Sequence, residues 1–312
     1  MTATLTRAAT AVEARILGLL LPYHRTSGPA SPDPAGHPEQ LRQIRQFTDA
    51  GEPVLFTLPG FPCKSPNPAK VLGHLPDEGE RLSLGFLDRL CARIGELYEP
   101  GARILICSDG HIFGDLIHVP DAHIDAYGDA LRALIAREGL HHLDTFDLRD
   151  VHGDLDHDTK RRLVTDAHAP ALPSLRELAR TDEETARLYR GITRFLVEDT
   201  ADFTGTRSAL QRECRSRAYG VIARSRAWGD LIAHCHPRSV RLSIHPQRPG
   251  AEKFGIRLLD AADAWATPWH TTVLREADGT ARLMRRADAE RLGRLVLKDG
   301  RPSHYEETGV SP

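Results

Sequence analysis

The chain has 312 residues, 40% hydrophobic and 27% charged, with 41 Lys and Arg against 43 Asp and Glu for a formal net charge of −2. That length makes one large α/β domain or two small ones, with enough chain to bury a sizeable core. The near-balanced charge excludes the basic excess usual in nucleic-acid-binding proteins. Five scattered cysteines without a C-x-x-C pair argue against a disulfide scaffold or a structural zinc site, and fit a reducing cytoplasm.

Ile16, Leu17, Leu19, Leu20 and Leu21 give the N-terminal stretch an amphipathic helix ending before Pro22. It is too short to span a bilayer and lacks a signal-peptide cleavage pattern, so no membrane partner is expected. Ser27 to Pro38 is rich in Pro and Gly and reads as a loop, followed by a short helix from Glu39 to Thr48. Pro53 to Leu58 is a buried strand. Apolar positions from Leu82 to Tyr98 recur at helical spacing and stop at Pro100-Gly101; Ala102 to Cys107 is a second strand. This strand, loop, helix, strand order is a βαβ unit and predicts parallel pairing. Asp121 to Glu138 is a further helix, and His142 to Leu148 a third strand. Thr159 to Tyr219 is mainly helical, with Thr181-Asp182-Glu183-Glu184 as a helix start. The arginine-rich 207–226 segment is also helical, and its charges fit a solvated face as well as a basic patch. After Pro237 the pattern turns to strands: alternation from Ser239 to His245, a hairpin about Asp278-Gly279, and another about Asp299-Gly300. The expected fold is α/β: a Rossmann-like, mostly parallel sheet flanked by helices, with a more antiparallel C-terminal part. Residues 1–50 form an N-terminal helical segment and Pro-rich loop, and residues 51–312 a single α/β catalytic domain.

Three places could carry chemistry. The segment Phe61 to Gly73 sets Lys64, Ser65, Asn67 and Lys70 among three prolines just after a strand, a plausible anion holder where open α/β sheets bind ligands; the bland alternative is a surface loop. Ser108, Asp109, His111 and Asp115 follow the second strand and could orient an amine, hold a metal or move protons, although Asp-Gly is also an ordinary turn. Alternation sets Arg241, Ser243 and His245 on one face, and Trp269 with His270 adds an aromatic plate and an imidazole. His152 and Asp154 have the H-x-D spacing of a non-haem iron triad, which keeps an iron oxygenase open as an alternative. The cluster His234-Cys235-His236 matches no zinc spacing.

Five blocks in order, Phe61 to Cys91, Tyr98 to Asp115, Ser216 to Gly220, Arg241 to Gln247 and Thr267 to His270, together resemble the isocyanide (isonitrile) synthases. That family includes the PvcA-type pyoverdine and paerucumarin proteins and the fungal dityrosine-synthesis proteins. The resemblance implies conversion of an amino-acid α-amine, typically of Trp or Tyr, to an isocyanide, with the carbon taken from ribulose 5-phosphate. It implies no metal or organic cofactor, and a separate iron-dependent oxygenase acting on the product. A family member using another amine or phosphosugar is the nearest alternative. On this reading Lys64, Lys70 and Arg217 or Arg241 are candidates for the phosphate. Asp109, His111, Asp115 and His245 are candidates for proton transfer, with Lys64 joining them if burial lowers its pKa. Phe113, Tyr219 and Trp269 are candidates for the amino-acid pocket, and Ser65, Asn67, Ser108, Ser243 and His270 complete the substrate-binding set.

Overall fold

A computed structural model describes residues 11–29, 31–261 and 266–308. Residues 1–10, the start of the N-terminal stretch, lie outside the described residues.

Helices α1 (Val12–Leu20) and α2 (Pro38–Thr48) lead into β1 (Val54–Pro59). Pro38 sits in the first turn of α2, where a missing N–H costs nothing. Ile16, Leu17, Leu20, Ile44 and Phe47 are buried in the same apolar cluster as Val54, Phe56 and Leu58. Then come α3 (Glu78–Leu97), β2 (Ala102–Cys107), the one-turn α4 (Gly110–Phe113), α5 (Asp121–Arg137) and β3 (Leu143–Phe146). Helix α3 starts one turn earlier than its apolar spacing predicts. Asp77 and Glu80 form a capping box that satisfies the first backbone N–H groups.

A helical excursion follows: α6 (Leu148–His152), α7 (His157–His168), α8 (Leu172–Thr181), α9 (Glu183–Asp199) and α10 (Arg207–Cys235). Asp182 caps α9 by accepting from Thr185 N at 2.7 Å, and Thr206 caps α10 by accepting from Ala209 N at 3.2 Å. The chain re-enters the sheet through β4 (Val240–Ser243) and β5 (Phe254–Gly255).

The five strands run in the order β3-β2-β1-β4-β5, every neighbouring pair parallel. Their apolar side chains fill the central core on both faces, as a parallel sheet covered by helices requires. The chain steps from β1 outward to β3 on one side and takes β4 and β5 on the other. Such a reversal opens a crevice at the C-terminal ends of β1 and β4.

The C-terminal residues form a second, mixed sheet of β6 (Asp260–Ala261), β7 (Thr272–Arg275), β8 (Ala281–Met284), β9 (Gly293–Lys298) and β10 (Arg301–Glu307), in the order β6-β8-β7-β10-β9. Helix α11 (Arg286–Leu292) links β8 to β9. The β7–β8 and β9–β10 hairpins are antiparallel and turn at Gly279 and at Asp299-Gly300, all at positive φ. Two strand expectations shift. Val240–Ser243 belongs to the parallel sheet beside β1, so antiparallel pairing starts only with β7; and this strand ends at Ser243, leaving His245 beyond it. No helix among the described residues is long and apolar enough to cross a membrane.

Candidate active site

A cavity of about 620 Å³ lies at the crevice, within the range of roughly 300–1,000 Å³ usual for small-molecule sites. The loops after β1 and β4, Asp109 after β2, one face of α9, and the Thr267–Thr271 turn line it. Glycines let these segments meet. A Cβ at Gly110 would sit 2.2 Å from the Pro62 carbonyl oxygen, and one at Gly60 would sit 3.2 Å from the Trp269 ring. Between them Phe61 takes φ 54°, unusual for a bulky residue, and packs against Trp269 with ring centroids 5.0 Å apart.

Lys64 reaches the cavity wall, but its ammonium is fully engaged. Nζ lies 2.8 Å from Asp77 Oδ2, 2.7 Å from Glu80 Oε2 and 3.0 Å from the Pro268 carbonyl. An ammonium has three donors, so none remains for a phosphate. Burial disfavours its charge, yet Asp77 and Glu80 outweigh that and raise its pKa. The expectation of an anion-binding Lys64, or of one made basic by a lowered pKa, gives way to a buried ion cluster. Burial in turn raises the Asp77 carboxyl against the pull of Lys64. The capping box of α3 is thereby tied through Lys64 to the loop after β1.

The rest of that loop is pinned as well. Lys70 pairs with Asp199 at 2.5 Å and Glu198 at 3.1 Å, lies 5.3 Å from the Phe195 ring centroid, and borders the cavity. Ser65 also borders it; its N–H donates to the Trp269 carbonyl at 2.8 Å. Asn67 turns away from the cavity and ties the loop to α9 by donating to the Glu198 carbonyl at 2.7 Å.

Asp109 faces the cavity with its Oδ1 buried and without a hydrogen-bond partner among the described residues. Burial pushes its pKa up to about 7. A carboxyl at that pKa is half ionised near neutrality and can both take and return a proton. His245 and His270 also line the cavity. Burial, with Arg25 and Lys253 adding, holds His245 down at about 4, and burial with Lys70 holds His270 well below its usual value, so both are neutral imidazoles. Thr267 Oγ1 lies 3.1 Å from His270 Nδ1. Phe113, Ser243 and Trp269 complete the expected residues at this cavity.

Other expected residues lie elsewhere. Ser108 and His111 border a second, much smaller hollow. His111 stacks on His157 at 3.8 Å and contacts Asp121 and Asp125, each at 3.1 Å. His111, Asp121 and His157 could bring ligand atoms within 4.8 Å of one another. Arg161, however, holds both oxygens of Asp121 at 2.8 Å, so the donor set is already neutralised by a cation and does not fit a metal ion. Asp115 pairs with Arg224 at 2.5 Å. Arg217 donates to the Leu116 carbonyl at 2.8 Å and pairs with Glu213, while Tyr219 stacks on Tyr189 at 4.5 Å. Arg241 is held by Glu252 at 2.6 Å and by the Gly229 carbonyl at 2.9 Å. None of these lines the large cavity. Among the described residues His152 and Asp154 belong to no group of three ligand atoms close enough for a metal, and neither lines either of these two hollows, so the iron-triad alternative lacks its geometry.

Sequence reasoning missed the α9 wall, with Arg187, Leu188 and Ile192, and also Ser225 of α10 and Lys253 before β5. The helical spacing of Leu188, Ile192 and Phe195 was available as a signal; Lys253, in an irregular segment, offered none.

A cavity at the switch point of a doubly wound sheet, with a titratable carboxyl and two neutral imidazoles in its walls, is the arrangement of a small-molecule enzyme site. Residues 44–296 match the family model of the pyoverdine/dityrosine biosynthesis protein, and the chain belongs to that family. It is 47% identical over 307 residues to an L-tyrosine isonitrile synthase of Pseudomonas aeruginosa, covering 94% of this chain and 93% of that one. It is 40% identical over 271 residues to an L-tryptophan isonitrile synthase of Fischerella ambigua, covering 86% and 82%. The crystal structure of the PvcA protein from Pseudomonas aeruginosa superposes with a TM-score of 0.89 at 47% identity, covering 95% of this chain and 99% of that one.

Proposed function

We propose that this chain is an amino-acid isonitrile synthase acting on tyrosine or tryptophan with ribulose 5-phosphate as carbon donor. The observation that carries the reading is near-full-length similarity to proteins named for L-tyrosine and L-tryptophan isonitrile synthesis. The cavity is compatible in kind. Leu188, Ile192 and Phe195 offer an apolar wall for an aromatic side chain, and cationic groups are at hand for a phosphate.

In this reading the free amine condenses with the C2 ketone and loses water to give an imine. Phosphate loss and cleavage of both carbon–carbon bonds at C2 then leave that one carbon on nitrogen and release the other four carbons of the sugar. Asp109 is the proton acceptor and donor, since its pKa of about 7 suits both directions. His245 and His270, held neutral, orient substrate oxygens as hydrogen-bond partners. Ser65, Ser243 and Trp269 shape the walls, and Lys64 positions the β1 loop rather than touching substrate. No metal or organic cofactor takes part, and an iron-dependent oxygenase acts downstream on the product. The enzyme works in a reducing cytoplasm, in keeping with five free cysteines.

The test is replacement of Asp109 by Asn. With Asp109 as base, kcat/KM of the wild type rises through pH 7, and D109N loses both that limb and roughly 10²-fold or more of the rate. A variant that keeps the rate and the limb removes Asp109 from the chemistry.

A further inference from the structure

Of the cavity-wall cations that are not solvent-exposed, Lys253 is the one without a direct carboxylate partner among the described residues. It stands just before β5, partly buried, on the cavity side of the crevice. Among the described residues no carboxylate lies within 4.0 Å of its Nζ, whereas Lys64 and Lys70 each have two. Its nearest charged neighbour is a cation, with carboxylates pulling less strongly. A Cβ at Gly229 of α10 would lie 3.4 Å from Arg241 Nη2 and 3.6 Å from Lys253 Nζ, so two positive heads sit over one helix position. Burial lowers the Lys253 pKa, and Arg241 and Arg226 lower it further against the weaker pull of Glu252 and Glu184. Arg241 stands behind the wall and is held by Glu252 at 2.6 Å, whereas the Lys253 charge, on the cavity side, is left for an anion arriving from the opening.

The place suits a phosphate. The cavity lies outside the carboxyl ends of β1 and β4, at the reversal of strand order, where phosphorylated ligands bind in open α/β sheets, and Lys253 lines it from the amino end of β5. Ser225 and Arg187 line the same cavity and supply a hydroxyl and a second cation. Arg187's own partner, Glu183 at 3.2 Å, is solvent-exposed and holds it only weakly. We propose that Lys253 is the anion-binding residue of this cavity and takes the phosphate of the phosphosugar, with Ser225 and Arg187 beside it. This rests on the reading that a phosphosugar is the carbon donor. The phosphate candidates drawn from sequence, Lys64 and Lys70, are each neutralised by two carboxylates, and Arg217 and Arg241 lie outside the cavity.

The experiment compares wild type, Lys253→Met and Lys253→Arg. It measures calorimetric binding of ribulose 5-phosphate and of inorganic phosphate, KM for each substrate, and thermal melting of each variant. The proposal expects K253M to melt no lower than wild type, since it removes an unpaired charge. It expects K253M to bind ribulose 5-phosphate roughly tenfold or more weakly and to raise its KM by a similar factor, with the KM for the amino acid little changed. Lys253→Arg should restore most of the loss. If K253M instead raises the KM for the amino acid, the residue binds a carboxylate and the proposal is overturned. Unchanged affinity for both phosphate probes overturns it as well. Should the wild type bind inorganic phosphate through Lys253 yet ignore ribulose 5-phosphate, the donor reading fails while the subsite stands. If it binds neither, both fail.

Discussion

Lys64 directs all three of its N–H donors at protein acceptors, two of them carboxylates inside the fold. Removing the ammonium leaves Asp77 and Glu80 buried without a counter-charge. Lys64→Met is therefore expected to destabilise the protein by about 3–5 kcal/mol. A denaturant titration checks this; a stability within experimental error of wild type would mean that the cluster is not a buried ion cluster in solution. Asp109 behaves in the opposite sense. Its folded pKa of about 7 lies above the ordinary carboxylate value, so between about pH 4 and pH 7 the unfolded chain has released a proton that the folded one retains. Stability falls as pH rises through that window and stays lowered above it. Asp109→Asn, which cannot ionise, should match wild type in melting temperature near pH 4 and exceed it at pH 8. A constant difference across the range would place the titration elsewhere.

At the scale of elements, the site depends on how closely the β1 loop and the start of α4 approach. Gly110 permits this, because any Cβ there would press on the Pro62 backbone oxygen at 2.2 Å. Gly110→Ala should force the two segments apart, lowering the melting temperature and reducing turnover; circular dichroism melts with parallel rate measurements test both. An Ala variant as stable and active as wild type would show that the contact is looser in solution. Much at this scale was legible in the sequence, for identifiable reasons. The apolar runs of β1 and β2 and the spacing of α3 and α5 carry their own periodicity, and the Gly and Asp-Gly turns mark the C-terminal hairpins. Strand β4 was legible as a strand but not as a parallel one, since its partner β1 is about 180 residues away in the chain and alternation does not encode pairing. The candidate site was legible where a residue's position at or after the end of a strand decides its place, as for Asp109, Ser243 and Ser65. It was not legible where partners come from distant helices. Nothing local to Asp115, Arg217 or Tyr219 announces Arg224, Leu116 or Tyr189. Likewise the partners of Lys64 arrive from a capping box whose local role hides its second one.

Across the whole molecule, two sheets divide the labour. The parallel sheet provides the switch point, and the loops after its strands and one face of α9 line the cavity. The second sheet lends Met284 and, through Arg275 and Lys298, grips Glu78 at the start of α3. Glu78 is held well below the usual carboxylate range: burial works against its charge, but bonds from Arg81, Lys298 and Arg275 prevail. The second sheet is thus fastened to the helix that also carries Asp77 and Glu80. The two ion clusters share one helix N-terminus, which links the stability of the C-terminal sheet to the position of the β1 loop.

The most direct test of the central claim is mass spectrometry of the purified, metal-stripped protein incubated with ribulose 5-phosphate and a pool of amino acids. The account predicts one product from tyrosine or tryptophan that keeps the amino nitrogen and is heavier by one carbon and lighter by two hydrogens, formed only when ribulose 5-phosphate is present. No such product from any amino acid, under conditions where ribulose 5-phosphate binds, would contradict it.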